Sequence, residues 1–120
     1  MKLQGRLHKC VSEVLEFDRQ YGIIQENAPT LENIIYNSLA LAGEAGEIAN
    51  VAKKIWRDGD CQELRDRLAE ETVDLVIYLC KLLIVAQIDF DEAWVKKHQV
   101  LHQRWSKKPA HERQEQLEVK

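Results

Sequence analysis

Lys54-Ile55-Trp56-Arg57-Asp58-Gly59-Asp60-Cys61-Gln62-Glu63 reads as one helix ending and another beginning with almost nothing between them. Upstream, Ile34, Ile35, Leu39, Leu41, Ile48, Val51, Ala52 and Ile55 recur at helical spacing, which predicts a helix over residues 31–57. Pro29-Thr30 opens it, with Thr30 as N-cap and Glu32 in the first turn. Gly59 can take the left-handed conformation that closes a helix. Asp60-Cys61-Gln62-Glu63 then has the form of a capping box. The helix it starts carries Leu64, Leu68, Val73, Leu75, Val76, Leu79 and Leu83, and runs to about residue 87. So short a linker folds the two helices back as an antiparallel hairpin.

On either side the pattern stays helical. Asp89-Phe90-Asp91-Glu92 is a second start of the capping-box kind, opening a helix to about residue 105. A first amphipathic helix covers residues 3–21, and residues 106–120 form a polar, proline-interrupted tail. No segment alternates with period two, and Asp58-Gly59 joins two helical patterns rather than two strands. The expectation is an all-α, four-helix bundle-like domain over residues 1–105, built on the central hairpin and completed by oligomerisation.

Composition narrows the function. A chain of 120 residues fits one domain, and 45% apolar with 31% charged residues excludes disordered, low-complexity and collagen-like classes. The longest near-apolar stretch, residues 73–86, contains Asp74 and Lys81 and is too short to span a bilayer. The opening residues Met1 to Arg6 lack the apolar core of a signal peptide, so a cytoplasmic protein is expected, with no membrane partner. Cys10, Cys61 and Cys80 have neither metal-ligand spacing nor an even count, which suits reduced thiols. A net charge of −3 argues against a nucleic-acid partner.

The hairpin has a consequence for the acids. Counting from Gly59, Glu47 and Glu71 each lie 12 residues away, and Glu44 and Asp74 each lie 15 away. Residues three apart share a helix face, so Glu44, Glu47, Glu71 and Asp74 can meet at two matching levels between the helices. Asp74 opens an apolar run, where a carboxylate needs a cation or donors. Four carboxylates without nearby Cys or His form a hard, oxygen-only site suited to Mg²⁺ or Mn²⁺ rather than Zn²⁺. Gly43 and Gly46 remove side chains beside the acids, so a helix or a ligand can approach. Asn37, Lys54, Arg67 and Lys81 follow the acidic faces and can meet phosphate oxygens. The spacing equally allows a structural cluster in which Arg67, Lys81 or Lys54 neutralises the acids. Trp56, Trp94 and Trp105 read as core or interface, His8, His98, His102 and His111 as surface, and Cys80 as a small buried hydrophobe.

Leu41-Ala42-Gly43-Glu44-Ala45-Gly46-Glu47 with Ala52-Lys53-Lys54-Ile55-Trp56-Arg57-Asp58-Gly59 resembles the MazG-like family of all-α nucleoside triphosphate pyrophosphohydrolases, close to the dCTP pyrophosphatases. Glu70-Glu71-Thr72-Val73-Asp74-Leu75-Val76-Ile77-Tyr78-Leu79 is similar to that family's second acidic motif. The likeness spans residues 30–105. It implies hydrolysis of (d)NTP to (d)NMP and pyrophosphate, with Glu44, Glu47, Glu71 and Asp74 as Mg²⁺ ligands and catalytic carboxylates. It also implies at least a homodimer, or a homotetramer, with nucleotide pockets near the subunit interface. On the last helix, Lys97, Arg104 and Trp105 match a substrate-contacting pattern, whereas Leu101 stands where the family carries Asn. The family's aromatic before the second helix has Tyr21 or Tyr36 as its counterpart. Both departures bear on nucleotide recognition and leave the acids untouched.

Two other classes compete. A carboxylate-bridged di-iron bundle needs Glu-x-x-His pairs, and no His follows Glu44, Glu47, Glu70 or Glu71 at that spacing. A non-enzymatic helical interaction protein would use the acidic cluster structurally.

Overall fold

The computed structural model describes residues 5–23, 31–109 and 111. These contain α1 (His8–Gln20), α2 (Leu31–Asp58), α3 (Gln62–Val85) and α4 (Phe90–Ser106), and among the described residues there is no strand. The protein is all-α. It divides into two compact units, Met1–Ile88 with α1 to α3 and Asp89–Lys120 with α4.

The hairpin forms where the sequence predicts it. Gly59 adopts φ +103° and its N–H donates to the Ile55 carbonyl at 3.1 Å, ending α2. Helices α2 and α3 pack along each other, and α1 lies against α3. The expected Asp60 capping box does not form, because Cys61 is the N-cap of α3 and makes no side-chain cap bond. Arg65 instead takes the Asp60 carboxylate in a fork, Nε to Oδ1 at 2.8 Å and Nη2 to Oδ2 at 2.6 Å. A charge-assisted pair of this kind outcompetes a backbone N–H for the same oxygens. Asp89 does cap α4, accepting from the Glu92 N–H at 3.1 Å. Thr30, assigned as the cap of α2, lies outside the described residues, as does most of the segment 106–120.

Helix α3 stops two residues before the expected 87, at Val85. Gln87 turns left-handed, with φ +54°, and the Ile88 N–H reaches back to the Leu83 carbonyl at 3.0 Å. At the end of α1, Gly22 (φ +64°) lets the Ile23 N–H donate to the Asp18 carbonyl at 2.8 Å. Among the described residues, the buried apolar ones are Val11, Val51, Cys80, Leu83 and Val85. Burial pushes the Cys80 thiol up to about 11, in keeping with an inert core residue. Along α2, by contrast, Leu31, Ile35 and Leu39 recur at every fourth position and are 71%, 49% and 68% exposed. Among the described residues no helix is long and apolar enough to cross a membrane.

Candidate metal centre and adjoining cavity

The hairpin brings Glu44 of α2 together with Glu71 and Asp74 of α3. One carboxylate oxygen from each lies within 4.8 Å of the other two. Glu44 and Glu71 are half-buried and Asp74 is exposed, so the trio opens to solvent on one side. Partial burial raises the Glu44 carboxyl above its ordinary value. The charges of Asp74 and Glu71, a hydrogen bond shared with Glu71, and the charge of Glu47 raise it further. Glu47, expected as a fourth ligand, stands exposed one turn nearer the hairpin bend and outside the trio.

Of the cations that would make the cluster purely structural, Lys81 is committed elsewhere. Lys81 Nζ pairs with Asp18 Oδ2 at 3.5 Å, and Lys54 acts on Asp58 near the hairpin bend. Arg67 is exposed, one turn before Glu71 on α3. Among the described residues no ion pair involves Glu44, Glu71 or Asp74. Three carboxylates this close repel one another, and the arrangement suits an oxygen-seeking divalent cation. Gly43 and Gly46 border it on open space, since a Cβ on either would meet nothing within 4 Å.

Beyond the acids, away from the bend, a cavity of about 490 Å³ opens among α1, α2 and α3. Tyr78, one turn after Asp74, joins the two regions. It lines the cavity, and its hydroxyl is raised by burial and by the nearby Tyr36, Glu44, Asp74 and Asp18. Asn37 and Lys81, both expected to bind substrate, also line the cavity. The buried Asn37 donates from Nδ2 to the Asn33 carbonyl at 2.8 Å, which fixes its amide. Lys81 lies 5.1 Å over the Tyr78 ring. Tyr36 lines the cavity too, whereas Tyr21 packs on Phe17 with ring centroids 4.7 Å apart. Lys97 and Arg104 stand exposed on α4, in the second unit.

Sequence reasoning missed Asp18, which is 2% exposed and ties α1 to α3 through Lys81. A signal was present: Asp18 falls seven residues after the buried Val11, on the same stripe of α1. Trp56, read as core or interface, is 88% exposed and is not part of the core.

No protein-family model matches the chain. A stretch of 56 residues is 46% identical to the Gene 37 protein of Mycobacterium phage L5, covering 44% of this chain and 49% of that protein. The chain thus spans about half the length of this curated relative, whose name states no activity.

Proposed function

We propose that this protein is a Mg²⁺-dependent nucleoside triphosphate pyrophosphohydrolase of the MazG-like kind, with Mn²⁺ able to substitute. It converts (d)NTP and water to (d)NMP and pyrophosphate, serving nucleotide-pool house-cleaning in the cytoplasm. One observation carries the reading: Glu44, Glu71 and Asp74 converge within 4.8 Å, with no ion pair to any of them among the described residues, one turn from a cavity large enough for a nucleoside.

Glu44, Glu71 and Asp74 hold the metal. When bound, Mg²⁺ neutralises triphosphate charge and makes a bound water more acidic. Glu47, one turn nearer the bend and exposed, is the carboxylate left free of that task, and the orientation of the attacking water is assigned to it. Lys54 and Arg67 lie toward the hairpin bend, where they can meet pyrophosphate oxygens. On the other side, Asn37 and Lys81 contact the nucleoside end of the substrate between Tyr36 and Tyr78. Lys97 and Arg104 enter through the motif resemblance. The uncovered α2 stripe of Leu31, Ile35 and Leu39 supports assembly as a homodimer or homotetramer.

The test is product analysis of the eight common NTPs and dNTPs with Mg²⁺. Monophosphate with pyrophosphate is expected, and Glu71→Gln should lower turnover more than about 100-fold while helicity is retained. If no nucleotide is hydrolysed by folded, Mg²⁺-loaded protein, the reading fails in favour of an interaction protein.

A further inference from the structure

The face of α4 that carries His98 and His102 has no part in the proposed reaction. The two histidines stand four residues apart on a regular helix, which lays both imidazoles on one side. Their ring centroids are 6.5 Å apart. His98 is held in two ways. Its Nδ1 lies 3.1 Å from the Trp94 carbonyl, a contact in which Nδ1–H donates and the lone pair is left on Nε2. Its ring also stacks on Trp94, with centroids 4.2 Å apart and planes inclined by 22°. An Nδ1–H bonded to a backbone carbonyl, with Nε2 left as donor atom, is the usual arrangement of a metal-ligating histidine.

We propose that His98 and His102 form a second metal site, a two-nitrogen chelate for a borderline divalent ion such as Zn²⁺ or Ni²⁺. A tetrahedral ion about 2.1 Å from each of two imidazole nitrogens holds those nitrogens roughly 3.4 Å apart. Rotation of the exposed His102 ring toward the fixed His98 ring closes the chelate. The remaining coordination positions are left to water or a further ligand. Nitrogen donors distinguish this site from the all-oxygen trio, and Mg²⁺ should not compete for it. The proposal is independent of the hydrolase reading.

The stacked Trp94 supplies the readout, because a paramagnetic ion on the His98 imidazole sits beside the indole. Ni²⁺ is titrated into the full chain and tryptophan fluorescence followed, with Zn²⁺ binding measured by calorimetry in parallel. Saturable quenching is expected in the wild type and should be largely lost in Trp94→Phe. His98→Gln and His102→Gln should each weaken Ni²⁺ and Zn²⁺ binding by at least about tenfold. Glu71→Gln and excess Mg²⁺ should change neither. Affinities unaltered in both histidine variants, or lost in Glu71→Gln, would overturn the assignment, as would absence of saturable quenching in the wild type. Circular dichroism checks that each variant keeps its helices.

Discussion

Replacing Lys81 with Met removes the cation from a carboxylate that has almost no access to water. Asp18 is 2% exposed, and the side chain of Lys81 only 19%. Removing one partner of a fully buried ion pair costs about 3–5 kcal/mol, mostly from the charge left behind. Here the adjoining cavity admits water and Lys81 keeps some exposure, so about 2–3 kcal/mol is expected. A chain of 120 residues has roughly 6–18 kcal/mol of total stability, so the loss is large but survivable. At roughly 4 °C per kcal/mol for a chain of this size, the melting temperature should fall by about 8–12 °C. Urea denaturation followed at 222 nm measures the free energy. Adding Asp18→Asn to Lys81→Met should recover more than half of the loss, because the stranded charge is gone. A deficit under about 0.5 kcal/mol, or a double variant no more stable than Lys81→Met, would refute the claim that this pair pins α1 to α3.

The raised Glu44 carboxyl has a definite pH sign: its favourable contribution is present at low pH and is lost as pH rises through the raised value. Without metal, stability should therefore decline over that range, and this component should vanish in Glu44→Gln; equal pH profiles for the two proteins would contradict it. Because protons compete with metal for the same carboxylate, Mg²⁺ affinity measured by calorimetry should fall as pH drops through that value. Gly46→Ala should stabilise α2 by about 1 kcal/mol, since the added methyl meets open space. Loss of stability in thermal melts would instead reveal a second copy packed there. Ellman's reagent should modify Cys10 and Cys61 quickly in native protein, and Cys80 only after unfolding, because its thiol is buried and raised to about 11.

The helices and the hairpin bend were determined by the sequence itself, because both are local physics. Apolar residues at helical spacing need a partner surface, and Gly59 between two such runs leaves one way for the chain to turn. The same spacing brought Glu44, Glu71 and Asp74 to one region, since two antiparallel helices joined by a known bend carry a predictable register. Only the tertiary structure decided how competing partners divide. Asp60 could cap α3 or bind Arg65, and the choice depends on which geometry satisfies more hydrogen bonds. Lys81 could neutralise the acidic trio or Asp18. Docking of α1 against α3 buries Asp18 and gives it the lysine as partner. The cavity has the same origin, because Asp18, Asn37 and Tyr78 come from three helices whose packing no local pattern encodes.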